Sequence, residues 1–587
     1  MIDFLIVVNK LSLFDDLKFI KINEKYTEIS DNFQLDKNVI YFFDNTKYQV
    51  IRIKDKTFVF IGDVICENFN NNSLTEIASN FSESKLRNIK GLFYLIVIEK
   101  SKIFLYNSLF SILPIFYSFM SNKVLLTSKI SFINLLMKNL TIDKKYMVEK
   151  LIFNYGFLNN TIYKEIKLVP SNSFISVGEN GFTINKHTDI RNFFVENSVT
   201  GKSTISFLAD LFMETTKNYF PSEKASIAFT GGFDGRTIVS IAKSSFIDFE
   251  TFSFGIQGND DLDIPLEQSK RLGLNFTPFF LNDKDYSDSF INDGGDLIDL
   301  SSNQSSFLYT HFLYSSRKLS SKTKYILTGY FGSELNRSLN VAGAVTSKKL
   351  IDLFIYDDIY WKERILLSPR LDFLNKTLFN IEINEMIEEV LDYKNSLDYN
   401  LTLNQKFYTY IFEETFRKIF GAIITAQMKY QFVRTPFLDF EFIVELLKTK
   451  FAGVNNPFIT NNPLKRLKGQ RLYAEIIKRS TPEILELTTG KGYKPKDLLS
   501  LKGNLTIVYP FVTKRLKRVI KKTNLDNLQL LSNIYFNRSY FNKKLDQTEF
   551  FNNDLIKYKL SDFPSITNEV ERDMLIFCLS LNEKKYG

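Results

Sequence analysis

Cysteine and histidine are almost missing from this chain of 587 residues: Cys66, Cys578, His187 and His311 are the only ones. Two cysteines so far apart fit neither a disulfide framework nor a zinc cluster, and two separated histidines supply no ligand pair. No apolar run is long enough to span a membrane. The start, Met1-Ile-Asp-Phe-Leu-Ile-Val-Val-Asn-Lys10, carries Asp3 where a secretory leader would be basic, and its apolar stretch is too short for one. These absences together predict a cytoplasmic protein. Charge of one sign does not dominate either: 75 Lys and Arg against 66 Asp and Glu give +9, spread along the chain. The one dense basic run, Lys514-Arg-Leu-Lys-Arg-Val-Ile-Lys-Lys522, reads as a solvated helix face rather than a nucleic-acid contact.

What is present is an ordinary globular composition, 44% hydrophobic and 24% charged, with many aromatics, 58 Phe and 29 Tyr. The length predicts more than one core. As far as about Lys186 the chain reads as short strands. Val50–Ile61, Gly91–Ile98 and Lys102–Tyr106 alternate or run apolar around turns at Asp55-Lys56 and Lys100-Ser101. His187 to Thr204 is polar and weakly periodic, and an apolar repeat at Ile205, Leu208, Leu211 and Phe212 then predicts a helix capped near Ser203. A domain boundary is expected there, giving units 1–195 and 196–587. Beyond it, strands expected at Ala225–Phe229, Phe249–Phe254, Phe276–Leu281 and Tyr325–Leu327 alternate with helical patterns, a rhythm that predicts a parallel sheet with helices on both faces. From about Lys348 the pattern is mostly helical.

The stretch with the most chemistry is Ala225-Ser-Ile-Ala-Phe-Thr-Gly-Gly-Phe-Asp-Gly-Arg-Thr-Ile-Val-Ser-Ile-Ala242, a strand, a glycine turn and a helix. Gly231 and Gly232 let a phosphate approach the backbone, and the helix start offers free N–H groups and a positive dipole end. Asp234 would repel a bare phosphate but suits one bridged by Mg²⁺. A tight turn capped by an Asp has the same sequence.

Thr230-Gly-Gly-Phe-Asp-Gly235 resembles the Ser-Gly-Gly-x-Asp-Ser loop of the asparagine synthetase and β-lactam synthetase family. Three further matches follow in that family's order: Thr251–Gly255 with Asp261–Glu267, then Leu327-Thr-Gly-Tyr-Phe-Gly-Ser-Glu-Leu335, then Arg434-Thr-Pro-Phe-Leu-Asp439. The resemblance implies an ATP-pyrophosphatase sheet in which ATP is held by Phe229, Thr230, Gly231, Gly232, Asp234, Gly235, Phe254, Thr328 and Gly329, with Mg²⁺ on Asp234. Phe229 and Phe254 are also natural core residues at strand ends. The third match departs from asparagine synthetases: Tyr330 replaces an acidic residue and Ser333 a metal-ligand Asp, so Glu334 is the candidate second ligand. β-lactam synthetases are similar in carrying a Tyr at this position, paired with a Glu some thirty residues on, and Glu363 stands at that spacing. It also fits a surface helix. Lys491, in Thr488-Thr-Gly-Lys-Gly-Tyr493, resembles the family's lysine that stabilises charge on the adenylate and pyrophosphate; a solvated loop lysine is the plainer reading.

The first half resembles the glutamine-hydrolysing domain of that family through Gly91–Ile98, Leu113–Tyr117 and Leu125–Ser128. That domain works through a cysteine exposed at its start. Position two here is Ile2 and Cys66 is internal, so glutaminase activity is expected to be absent, as the resemblance to β-lactam synthetases and lasso-peptide cyclases also implies. The implied architecture is α/β: an Ntn-hydrolase-like αββα sandwich, then a doubly wound parallel-sheet ATP-pyrophosphatase domain with a helical C-terminal part. The implied activity joins a carboxylate substrate, activated as its adenylate, to an amine nucleophile on a small molecule or peptide. A homodimer or partner biosynthetic proteins are compatible with it, whereas a membrane or nucleic acid is not expected. Two alternatives stay open: an ammonia-using asparagine synthetase, and a non-catalytic nucleotide-binding scaffold, which Gly235 and Ser333 favour.

Overall fold

The computed structural model describes residues 2–9, 29–35, 38–43, 46–66, 71–100, 102–121, 123–137, 139–178, 181–337, 339, 345–458, 468–500, 502–503, 506–507, 525–561 and 569–582. The basic run Lys514–Lys522 and the turn residue Ser101 lie outside them.

Strands β1 (Phe4–Asn9), β2 (Ile29–Leu35), β3 (Asn38–Phe43), β4 (Tyr48–Ile53), β5 (Lys56–Ile65), β6 (Lys90–Glu99), β7 (Lys102–Asn107), β8 (Phe116–Met120), β9 (Lys123–Thr127), β10 (Ile166–Leu168), β11 (Ser173–Gly178) and β12 (Gly181–Lys186) form two antiparallel sheets. Their orders are β10-β8-β9-β1-β3-β2 and β12-β11-β7-β6-β5-β4. β6 explains the layering. Leu92, Tyr94, Ile96 and Ile98 join a cluster with Phe4 and Ile6 of the facing sheet, whereas Phe93, Leu95 and Val97 join another with Leu74 and Ala78 of helix α1 (Asn71–Ser79). A strand buried on both faces reads as an unbroken apolar run, although its side chains still alternate. Phe4 meets Tyr94 edge-on at 4.9 Å between the sheets, and Phe43 stacks at 4.1 Å on Phe132 of α2 (Ile130–Leu136) outside them. The order of layers is helix, sheet, sheet, helix. The first hairpin turns at Lys54-Asp55, one residue before the predicted place, because Lys54 takes the left-handed conformation (φ 54°) and Lys56 already pairs with Ile53.

The third sheet is parallel throughout: β13 (Ala225–Ala228), β14 (Phe249–Gly255), β15 (Phe276–Phe280), β16 (Tyr325–Leu327) and β17 (Phe432–Arg434), ordered β15-β14-β13-β16-β17. β17 falls where the pattern predicts helix, since three residues are too few to show a strand period. Helix α3 (Lys202–Tyr219) begins one residue ahead of the expected cap. Gly201, not Ser203, is its N-cap, with no side-chain bond to the helix. α4 (Asp234–Ser244) and α5 (Asp260–Leu272) follow β13 and β14. Strands are laid outward from β13, and the chain then returns to β13's other side to add β16. With right-handed crossovers, that reversal places helices on both faces and opens a crevice between the β13 and β16 ends.

The antiparallel and parallel parts meet through buried contacts. Arg434, at the end of β17, donates to both carboxylate oxygens of Asp63 on β5 (2.6 and 2.9 Å), with both side chains almost fully buried. A continuous helical rod runs through Leu403–Tyr410, the π-helical Ile411–Phe420 and Gly421–Gln427. It stacks Phe412 on Phe110 of the first part and sets Phe416 edge-on to the same ring, and it packs Phe416 and Phe420 at a tilt against Phe331 of the second. Among the described residues no helix is long and apolar enough to cross a membrane.

Candidate functional site

The turn Phe229–Gly235 leaves β13 and enters α4, while the turn Thr328–Phe331 leaves β16 and enters the short helix α6 (Gly332–Asn336). These turns adjoin at the strand-order reversal. Gly329 lies so close to the first turn that a Cβ there would come within 2.5 Å of the Asp234 Cβ. Gly235 has no room for a side chain either, because a Cβ would collide with the Ala228 carbonyl oxygen. The glycine standing where the resembling family has Ser is therefore demanded by how tightly α4 starts against β13.

Among the described residues, the N–H groups of Gly231, Phe233 and Asp234 have no protein acceptor. In this turn Phe229 N–H donates to the Phe252 carbonyl at 2.8 Å and Gly232 N–H to Thr230 Oγ1 at 3.3 Å. With the first turn of α4 behind them, these groups form a cradle suited to an anion. The Thr328 hydroxyl, 1% exposed, is also without a partner, an uncommon state that polar ligands relieve. Both observations fit a nucleotide's phosphates and sugar.

Asp234 is half-buried and fixed on both sides. Its Oδ2 accepts from Ser333 Oγ at 2.8 Å and its Oδ1 from the Tyr473 hydroxyl at 2.5 Å; helix α7 (Asp358–Leu366) precedes α8 (Lys468–Ser480), on which Tyr473 lies. Ser333 is thus a donor to Asp234. Asn336 Nδ2 steadies the same tyrosine at 3.2 Å. Glu334, on α6, is 5% exposed; burial pushes its carboxyl up to about 7, with Arg337 opposing and Asp234 adding to the rise. Asp234 and Glu334, near enough that the first adds to the rise at the second, are a reasonable seat for one divalent cation bridging to phosphate. Among the described residues no group of three or more His, Cys, Asp or Glu side chains could hold a metal without such a ligand.

Lys491 reaches this site through its loop. Gly490 N–H donates to the Gly231 carbonyl at 2.9 Å, and Lys491 Nζ lies 5.4 Å from the centre of the Phe233 ring. Burial brings its ammonium down to about 7, Arg337 adding to the fall and Asp234 opposing it. It is not a freely solvated loop lysine.

Two expectations separate. Tyr330 donates to Gln427 Oε1 at 3.1 Å, and burial holds its hydroxyl well above the ordinary tyrosine range. Glu363 is exposed on α7, and among the described residues no bond joins it to Tyr330. The Tyr330–Glu363 pair is therefore not formed, because the rod carrying Gln427 occupies the tyrosine's polar end. The two aromatic candidates also differ. Phe229 is fully buried, while Phe254 is half-buried against His311 (4.4 Å) and Phe312 (5.0 Å). Sequence reasoning missed Tyr473, Asn336, Gln427, Arg236 and Arg337. Tyr473 and Gln427 arrive from helices far away in sequence, without a motif, whereas Arg236 lies inside the quoted strand–turn–helix stretch and Asn336 and Arg337 follow directly on the third match. A cavity of about 920 Å³, reached by Cys66, Lys324 and Tyr325, lies at the opposite ends of the parallel strands and includes none of these site residues.

No known protein-family model matches the chain. Over 215 residues, 35% of the chain, it is 23% identical to asparagine synthetase [glutamine-hydrolyzing] 1 of Bacillus subtilis (strain 168). That stretch spans about a third of the relative's own length, 34%. Among solved structures it is similar to the glutamine phosphoribosylpyrophosphate amidotransferase from B. subtilis complexed with ADP and GMP, at 8% identity and a TM-score of 0.18, covering 38% of this chain and 53% of that one. A second is the allosteric regulatory enzyme of purine biosynthesis, at 9% identity and a TM-score of 0.19, covering 40% and 56%. Overlaps this slight carry no inference about the site.

Proposed function

We propose that the protein is an ATP-dependent ligase that activates a carboxylate as its acyl-adenylate and transfers the acyl group to an amine. The observation that supports this most directly is the meeting of two glycine turns at the strand-order reversal, with unpartnered N–H groups and a buried, unpartnered hydroxyl beside them. Ligands of open parallel sheets occupy that crevice. The similarity to an asparagine synthetase supports the same chemistry.

In this reading the N–H groups of Gly231, Phe233 and Asp234 hold phosphate oxygens, while Thr230, Gly232, Gly235, Thr328 and Gly329 shape the nucleotide's bed, with Phe254 and the buried Phe229 bounding the base. A substrate carboxylate oxygen attacks the α-phosphorus, pyrophosphate leaves, and the amine then attacks the acyl carbon, expelling AMP and losing a proton. Asp234, held rigid by Ser333 and Tyr473, would bind Mg²⁺ together with Glu334, and the ion would neutralise triphosphate charge. Lys491 stabilises the charge gathering on the departing pyrophosphate. Tyr330 lines the acceptor side, oriented by Gln427. Glu363 has no part in the step.

The first part is proposed to be structural, since Ile2 is 2% exposed and offers no nucleophile. The substrate is a small-molecule or peptide carboxylate, and the setting a cytoplasmic homodimer or an assembly with partner biosynthetic proteins. Its similarity favours one narrower reading, an asparagine synthetase supplied with ammonia. ATP–pyrophosphate exchange across a carboxylate panel tests the proposal. Exchange that needs one carboxylate and Mg²⁺ is expected; aspartate with ammonia giving AMP would select the narrower reading, and no exchange with any acid, together with no heat of Mg·ATP binding, would sink both.

A further inference from the structure

Arg236 stands two residues into the first turn of α4, yet its side chain is 0% exposed. Beneath the glycine turn, its Nε donates to the Gly232 carbonyl at 3.3 Å, Nη1 to Leu487 at 3.5 Å and Nη2 to Thr488 at 3.4 Å. Its guanidinium carbon lies 5.9 Å from the centre of the Phe229 ring. Among the described residues it has no carboxylate partner. A buried cation without a counter-charge is costly, and a Met or Leu of similar bulk would fill the space more cheaply. Its three acceptors belong to two segments: the glycine turn of the phosphate cradle, and the loop that carries Lys491.

That loop has few other ties to the sheet. Gln268 Nε2 on α5 donates to the same Thr488 carbonyl at 2.6 Å, Gly490 N–H donates to Gly231, and the Tyr493 hydroxyl donates to Gln470 Oε1 on α8, while Lys491 N–H donates to Thr489 Oγ1 at 3.3 Å within the loop. A planar fork of donors suits the joining of several carbonyls in fixed geometry, which a lysine's point charge cannot reproduce.

We propose that Arg236 is a positioning residue that fastens the Lys491 loop to the phosphate cradle and so fixes where the lysine's charge stands during adenylation. The proposal deepens the ligase reading and rests on it for the catalytic consequence, though not for the geometric one. The charged groups acting on Lys491 are Arg337 and Asp234, with the Phe233 ring against its ammonium. While the loop is fastened, burial keeps Lys491 of the ligand-free protein titrating near neutrality, so kcat/KM, which reports the free enzyme, falls as pH rises through about 7 if it needs the protonated amine. Once the loop is released, the solvated amine stays protonated to higher pH and the alkaline limb moves upward.

The test compares Arg236→Met, Arg236→Lys and Gln268→Ala with the wild type. Arg236→Met is expected to lower kcat for ATP–pyrophosphate exchange by roughly 10- to 100-fold, with Kd for Mg·ATP changed less than about threefold and the alkaline limb displaced upward by more than a pH unit. Arg236→Lys should fall between, and Gln268→Ala should shift the same way by less, which keeps the idea testable if Arg236→Met does not fold. Reductive ¹³C-methylation and NMR of Lys491 in the ligand-free protein reads the same displacement without any reaction. Folded variants in which the lysine's titration and kcat stay put overturn the proposal, whatever their melting temperature. A wild type silent in exchange, with a Lys491 titration that still moves in Arg236→Met, rejects the ligase reading and leaves the positioning role standing.

Discussion

Two places in the chain, the seam where the antiparallel sheets meet the parallel one and the strand-order reversal of the parallel sheet, treat their polar groups in opposite ways. On the antiparallel side, Asp63 is sealed in a two-point ion pair with Arg434, and Ile2 is sunk in the core beside Gly62. On the parallel side, backbone N–H groups of the glycine turn and the Thr328 hydroxyl are left without protein partners although space is tight. Internally satisfied polarity marks a region that holds shape, and polarity left open at a convergence of turns marks one that binds. The difference is physical, since a buried polar group without a partner costs stability unless something else completes it.

The largest effect should come from the open side. Asp234→Ala is expected to reduce carboxylate-dependent pyrophosphate exchange on the order of 1,000-fold and to abolish the calorimetric signal of Mg·ATP, while the circular-dichroism spectrum stays unchanged. Normal turnover in that variant would put the nucleotide elsewhere. Next comes the sealed side: Asp63→Ala strands the Arg434 charge and should cost about 3–5 kcal/mol in denaturant unfolding, yet leave nucleotide affinity intact in the fraction still folded. A stable Asp63→Ala protein with weakened nucleotide binding would erase the contrast.

Glu334 separates the two parts by pH. Its folded-state value near 7 exceeds that of an exposed glutamate, so the native form holds a proton that the unfolded chain has released. Its contribution to stability is complete below about pH 4.5 and is lost as pH rises through about 7. Glu334→Gln should therefore raise unfolding stability at pH 8 by up to about 3 kcal/mol, change little at pH 4.5, and weaken Mg·ATP binding. A gain equal at both pH values would contradict burial as the cause. The smallest effect is expected at Ile2→Cys: glutamate release from glutamine should remain at background, because a side chain at this position faces the core.

Much of the parallel sheet was legible in the sequence, because each predicted strand ends in a run that changes from apolar to glycine or helix signals. Tyr325–Leu327 matches residue for residue, and the other three ends shift by one. β17 was not legible, since Phe432–Arg434 is recognisable as a strand only by pairing with β16, a contact over 100 residues away. The site divides likewise. Turns that must approach each other announce themselves through glycine, so Gly231, Gly235 and Gly329 could be read; partners that reach across the fold could not. Spacing alone suggested Glu363 for Tyr330, whereas the fold supplies Gln427 from a helix end. Ser333 looked like a lost ligand and proves to be a hydroxyl pinning Asp234.

The aromatic rod from Leu403 to Gln427 makes the halves inseparable in practice. Phe412 and Phe416 lean on Phe110, Gly421 lies directly against the Ile112 carbonyl, and the same stretch ends on Tyr330. Cutting away the first 195 residues would strip one side of that rod of its cover, leaving a greasy stripe in water and slackening the mount that holds the tyrosine. The front half is the wall against which the parallel-sheet half is braced.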